Sequence, residues 1–343
     1  MTNEKQQLQE GINNIHIEGI VKEIRIEETV INGKDAISGE IDIQETPEST
    51  HTINVFSYKM TKDNKLNRLF EAICTIRDEY KTIEKDGVDN ADKVRIETTK
   101  KFDNGKVAKN EYVGQDGEWK SYPQLNAKFI NRITPSDVFE PQAKFTLEIV
   151  VAALKDETRN GEETGRLILK GYIVNYQEQK DDYKKIVPFD FIVDNPTSVS
   201  YVQNTYEKGQ TVKIFGNIVN QTIITKKMIE VGFGEPQEQI DRKDVREYVI
   251  VGGTPPYDDE DKNAFDTGLI REALKKRDAA IEAKKEEKKK KGNNSSQSSN
   301  GFGNTFDKKD PFGQESTKTK PKNDDPFSDD GKPIDISDDD LPF

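Results

Sequence analysis

Cysteine occurs once in the chain, at Cys74, histidine twice, at His16 and His51, and tryptophan once, at Trp119. These scarcities exclude an intrachain disulfide framework and leave too few ligands for a Cys/His zinc site. A reducing, cytoplasmic setting is the matching expectation. Apolar residues are also sparse, at 32% of 343 residues, against a usual ~45–50% on a comparable definition. No run approaches the ~18–20 apolar residues of a membrane span, and the first thirty residues hold no signal-peptide core. Catalytic signatures are missing as well: no G-x-x-x-x-G-K-[ST] phosphate loop, no H-E-x-x-H and no G-x-S-x-G elbow. The acidic run Asp258–Asp261 lacks the glycine and terminal glutamate of an EF-hand loop. The chain therefore reads as a non-enzyme with no metal, cofactor, membrane or small-molecule substrate.

What is plentiful is charge, at 34% of residues, with a net value of −12. Its distribution is uneven: residues 292–343 carry −5, residues 255–291 carry +1, and −8 remains on residues 1–254. An acidic body argues against nucleic acid unless a local basic stripe overrides the bulk field. Residues 292–304, GNNSSQSSNGFGN, read as a flexible linker. The stretch from there to Phe343 is rich in Lys, Asp and Pro without apolar periodicity, and reads as disordered. Upstream, Phe265, Leu269, Ile270, Ala273, Leu274 and Ile281 recur at helical spacing, ahead of the run KKEEKKKK at 284–291. This predicts a helix that docks near its start and ends in solvent.

Residues 1–254 are strand-rich and carry an internal echo. The first half predicts strands near Ile15–Ile26, Ala36–Gln44 and Thr52–Tyr58, then a helix around Leu66–Tyr80. The second predicts strands near Phe145–Leu154, Leu167–Tyr176 and Ile186–Val193, then a helix near Ser198–Glu207. Closing strands follow at Lys93–Tyr122 and Leu125–Ile133 in one half, and at Thr211–Val219 and Val245–Val251 in the other. Three strands, a helix and closing strands is the order of a five-stranded OB-type barrel. The expected fold is thus all-β with minor α, built of two tandem OB-type barrels over 1–136 and 137–254, a helix over 255–291 and a tail over 292–343. Other small barrels or sandwiches share this order. Turn signals at Asp103-Asn104-Gly105 and Asp116-Gly117 predict a projecting meander inserted in the first unit.

Strand parity separates a core face from an outward one. Ile53 and Val55 take the inner parity, leaving Phe56 and Tyr58 opposite, with Lys59 beside them. Leu125, Ala127 and Phe129 leave Lys128 and Arg132; Leu167, Leu169 and Ile173 leave Lys170, Tyr172 and Tyr176. Val212 and Ile214 leave Lys213 and Phe215. The outward set is repeatedly aromatic plus basic, the chemistry that stacks bases and tracks phosphates. Trp119 and Tyr122 lie three apart on one strand, so they take opposite faces unless a bulge intervenes; Trp119, next to Lys120, is the one expected to meet the ligand. Phe189 and Phe191 read as core.

The chain ends Asp-Asp-Asp-Leu-Pro-Phe, residues Asp338, Asp339, Asp340, Leu341, Pro342 and Phe343. This is a charged leash with a small apolar plug, and its terminal carboxylate suits a basic-rimmed pocket. The ending resembles the acidic tip of bacterial and phage single-stranded DNA-binding proteins, and the Gly/Ser/Asn/Gln linker is similar in composition. That resemblance implies an OB barrel that binds the strand during replication, recombination and repair, with a tip that recruits partner enzymes. A phage relative would act in the host cytoplasm. The body departs from the bacterial pattern in its length and its two predicted barrels. Asp-Pro-Phe at 310–312 and 325–327 are degenerate copies of the tip or solubilising repeats. Two readings of other classes stay open: an adaptor whose acidic tail mimics nucleic acid, and a nuclease using carboxylate-bound Mg²⁺.

Overall fold

A computed structural model describes residues 8–98, 104–176, 180–229, 237–258 and 260–295. The protein is β-rich. Its first half contains strands β1 (Asn13–Ile31), β2 (Lys34–Thr46) and β3 (Ser49–Tyr58) and helices α1 (Arg68–Glu79) and α2 (Ile83–Asp86). Strands β4 (Lys93–Glu97), β5 (Gly105–Val113), β6 (Trp119–Ala127) and β7 (Asn131–Arg132) follow. The second half contains β8 (Gln142–Arg159), β9 (Glu162–Val174), a 3₁₀ turn (Asp182–Lys184), β10 (Ile186–Val193) and α3 (Pro196–Thr205). It continues with β11 (Thr211–Ile229), β12 (Gln237–Gly253) and α4 (Thr267–Ser295).

Each half opens with a hairpin turned by the same dipeptide. Asn32-Gly33 joins β1 to β2 and Asn160-Gly161 joins β8 to β9, all four residues at positive φ. Such two-residue turns match the right-handed twist of the strands they join. In the second half the pairings close a ring: β8–β9–β10, then β12 parallel to β10, then β11, which returns to β8. The first half follows the same order through β1–β2–β3, with β6 parallel to β3 and β5 beside β6. Its closing strand is split. β4 pairs with β1, whereas β5 is joined to β1 by one side chain: Asn13 donates to Val107 O at 2.8 Å and accepts from Val107 N at 2.9 Å. Gly105 makes this approach possible, because a Cβ there would lie 2.5 Å from Ile15 Cγ1.

The expected turn at Asp103-Asn104-Gly105 lies partly outside the described residues, which omit 99–103. Among the described residues β4 pairs with β1 and β7, not with β5, and Asp103 lies outside them. Asn104 is buried; its carboxamide accepts from Lys128 N and Phe129 N and donates to Phe129 O. The second signal, Asp116-Gly117, does turn the β5–β6 hairpin, with Gly117 at φ 79°.

The halves are welded together. β1 pairs with β8 from Asn13↔Leu147 to Glu18↔Gln142, and one hydrophobic cluster runs through both, from Ile15, Ile41 and Ile53 to Phe191 and Ile214. Helix α1 buries Phe70, Ile73 and Ile76 and is capped by Asn67, whose side chain accepts from Leu69 N; α3 is capped likewise by Asn195, with Pro196 at its first turn. Strands β11 and β12 run far past their expected ends as one ribbon, in register out to Ile229↔Gln237. Residues 221–226 of that ribbon are exposed, so no alternation marks them in sequence. Helix α4 begins later than expected, at Thr267, and extends through Ser295. Its start docks as predicted, Phe265 and Ile270 packing with Val150, Val174 and Ile186. No helix among the described residues is long and apolar enough to cross a membrane.

Candidate nucleic-acid interface

The inner parity of the first-half strands goes to the core: Ile41, Ile53, Val55, Val107 and Leu125 are buried. Strand registers then line up the outward residues in cross-strand rungs. One runs Arg25–Glu40–Asn54–Asn126–Lys106 over β1, β2, β3, β6 and β5. Beside it, Glu27–Ser38–Phe56 forms a second. All eight line a groove of about 1040 Å³, which Lys109, Gln124 and Lys128 also border, with Asn175, Tyr176, Lys184 and Val187 contributed by the second half.

The groove's charges are held in place. Arg25 pairs with Asp42 at 2.8 Å, with Glu40 at 3.2 Å and with Glu23; Asp42 leads in pushing its guanidinium still further above neutrality. Lys106 is paired with Glu10. Lys109 reaches 4.9 Å from the Phe189 ring centroid, and burial lowers its pKa below the usual lysine range. Phe56 is 44% exposed and meets Tyr58 edge-on, ring centroids 5.0 Å apart.

Of the predicted ligand contacts, the groove gathers Phe56, Lys128 and Tyr176. Tyr58 stands behind Phe56, and Lys59 lies 5.8 Å over the Phe70 ring and 3.9 Å from Asp35. Three others are engaged by neighbours in the fold. Trp119 sets its ring edge-on to Tyr183 at 5.2 Å, with a buried Nε1 that finds no partner among the described residues. Arg132 lies 4.2 Å over the Tyr80 ring and 3.0 Å from Asp92, bracing the end of α1. Tyr172 packs against the cluster at the start of α4. Lys120 pairs with Asp116 at 2.6 Å at the hairpin tip, and Lys170 with Asp190 at 3.8 Å. Lys213 and Phe215 lie on β11 away from the groove lining; Phe215 is 45% exposed, over Gly252. Asp338, Asp339, Asp340, Leu341, Pro342 and Phe343 lie outside the described residues, as do the Asp-Pro-Phe copies.

Sequence reasoning missed Gln124, Asn126, Lys106 and Lys109 in the groove, and Tyr112, whose exposed ring lies 6.3 Å from that of Tyr122. Registers place Asn110 opposite Tyr122 and Tyr112 opposite Lys120, so the groove face of the ribbon continues into these rings. Of the two rings on that strand, Tyr122 is the exposed one and Trp119 the packed one. Parity alone shows the two on opposite faces but not which face is open.

The hairpin is held by a buried ion pair that the sequence does not reveal. Arg277 of α4 donates to both Glu111 oxygens, at 2.6 and 3.1 Å, and to the carbonyls of Ile186, at 3.1 Å, and Tyr183. Further along α4, Lys284 lies 4.9 Å over the Tyr183 ring and Lys288 donates to Val113 O at 2.7 Å. The helix therefore docks well beyond its start. Among the described residues no cluster of His, Cys, Asp and Glu could hold a metal ion.

Residues 11–287 match the family described as YorF. Two curated relatives, from Bacillus cereus and Bacillus anthracis, are each named single-stranded DNA-binding protein. They are 56% identical over 52 residues and 53% identical over 55, covering 13% of this chain in each case and 29% and 31% of the relatives. The matched region thus spans about three-tenths of the relatives' length. Among solved structures, the wild-type single-stranded DNA binding protein of Thermus aquaticus is similar with a TM-score of 0.43 at 9% identity, over 74% of this chain and 97% of that one. A deletion variant of the same protein gives 0.42 at 11%, over 74% and 98%.

Proposed function

This chain belongs to the YorF family, and from that premise we propose that it is a non-catalytic single-stranded DNA-binding protein built of two OB-type units. The observation that carries this reading is the open outward face of the first-half strands, where exposed Phe56 shares one groove with Lys106, Lys109 and Lys128. One base stacks on Phe56 while the cations contact phosphates on either side; Tyr112 and Tyr122 extend the path along the β5–β6 hairpin. Stacking of this kind is worth ~1–3 kcal/mol per base. The tip Asp338–Phe343 recruits replication, recombination and repair enzymes to the coated strand. The Bacillus relatives' name supports the strand-binding part.

The lining holds five basic residues (Arg25, Lys106, Lys109, Lys128, Lys184) and four acidic ones (Glu10, Glu27, Glu40, Glu111). This near-balance predicts a shallower salt dependence than a bare lysine track would give, since only neutralised phosphates release counterions.

The test is anisotropy of labelled oligo-dT titrated with full-length protein and with Phe56→Ala. The variant should bind roughly tenfold more weakly, within the stacking range above. Equal affinity for Phe56→Ala and wild type would remove the groove from the binding path. Failure to retain any single strand at low salt would sink the function itself. Loss of partner capture on deleting the last six residues, with unchanged DNA affinity, is the expected sign of a recruiting tip.

A further inference from the structure

The groove lining is close to charge balance, but the last turns of α4 are not. Residues 284–291 hold six lysines and two glutamates, a net +4 within a chain of −12. Sequence-independent strand binding draws its affinity from phosphate contacts, so the path of the strand needs a surplus of cations somewhere. Two neighbours bring this surplus to the groove. Lys184 borders the groove, and it and Lys284 of α4 approach the two oxygens of the Asp181 carboxylate, at 3.2 and 3.7 Å. Both ammoniums also lie against the Tyr183 ring, 5.5 and 4.9 Å from its centroid. Two cations on one carboxylate form an anion clamp, which a phosphate enters by displacing Asp181.

Beyond the clamp the lysines form two adjoining columns at helical spacing, Lys284 with Lys288 and Lys285 with Lys289. Lys288 reaches the tip of the β5–β6 hairpin through Val113 O. Among the described residues no carboxylate pairs with Lys288 or Lys289, and Lys285 meets only the exposed Glu282, at 3.2 Å. Glu286 is turned to Lys290 instead. We infer that the strand path leaves the groove over the 3₁₀ turn and continues along α4, where these lysines grip phosphates whatever the base. This inference rests on the strand-binding reading above and lengthens its site: stacking anchors one end of the strand and a basic helix the other.

The test measures how binding of oligo-dT by the full-length protein depends on salt. It uses strands of about 8 and about 30 nucleotides, one within and one beyond the ~4–16 nucleotides of a single OB site. The plot of log K against log salt should be steeper for the long strand. Lys285→Gln with Lys289→Gln, neither of which pairs with the hairpin or the turn, should flatten the long-strand slope by roughly 1.4, at about 0.7 per phosphate. The short-strand slope should hold, and arginine at both positions should restore the wild-type values. Asp181→Asn, which empties the clamp of its own carboxylate, should tighten the long strand roughly threefold at low salt, the scale of one exposed ion pair; a folding defect cannot produce that gain. Equal long-strand slopes for wild type and the glutamine variant would overturn the helix path, as would an equal loss on both strands or an Asp181→Asn protein that binds no tighter. A wild type that holds neither strand would instead remove strand binding itself.

Discussion

The two halves share a strand order but differ in how far the outward face is covered. In the first, the outward face of β1–β2–β3 carries Arg25, Glu40, Asn54 and Phe56 and lies open as a groove. In the second, the corresponding face of β8–β9–β10 carries Val150 opposite Tyr172 and Val174 opposite Ile186, and Phe265 and Ile270 cover it. The segment leading to α4 is pinned there by Tyr257, which donates to Glu148 Oε1 at 2.8 Å, and by Phe265 N, which donates to Thr211 Oγ1 at 2.9 Å. Repetition of topology therefore does not repeat a site. A sheet face can meet a ligand only where its outward residues remain in water, and the segment leading into α4 covers part of that face in the second half.

The sharpest way to break this comparison is at α4. Arg277→Ala leaves Glu111 buried without its partner and should cost ~3–5 kcal/mol of stability, read from urea midpoints; a change under 1 kcal/mol would show that the helix does not hold the hairpin. Tyr172→Ala and Phe56→Ala should then dissociate the halves' roles. Tyr172→Ala should lose about 2 kcal/mol of stability from its half-buried ring while DNA affinity holds. Phe56→Ala should show the reverse, with an unchanged melting temperature. If both variants weaken DNA binding equally, the second face is not covered in solution.

The smallest effect expected is on pH. Glu18 is buried; burial raises its pKa, but hydrogen bonds from Arg95, His16 and Glu140 N outweigh this and hold it below the ordinary value of 4.5. Glu45 is likewise lowered, chiefly by the His51 hydrogen bond. The unfolded chain thus takes up protons that the folded protein refuses. Their stabilisation is complete above about pH 4.5 and fades as pH falls through the lowered folded values. Urea midpoints should decline below that point, and Glu18→Gln should flatten the decline; an unaltered slope would assign acid sensitivity elsewhere.

Much of this architecture was legible in residues. Alternation located β1–β3 and β8–β10, Asn67 and Asn195 precede the two short helices they cap, and Asp116-Gly117 marks a real hairpin turn. Phe56, Lys128 and Tyr176 fell on the open face by parity. The split closing strand was not legible, because Asn13 replaces a ladder with one side chain across a separation of 94 residues. Nor was the full length of β11 and β12, since residues 221–226 of their ribbon are exposed and set no period there.

Local pattern determined which residues are strands, which parity is apolar, and that the chain ends in an acidic tip, since these depend on neighbours in sequence. Which aromatic rings stay in water was decided by tertiary structure alone. Tyr172 had the outward parity and chemistry of a ligand contact, yet the segment leading into α4 reached it first. Burial of an outward side chain depends on a partner brought from elsewhere in the chain, and no local period encodes that partner.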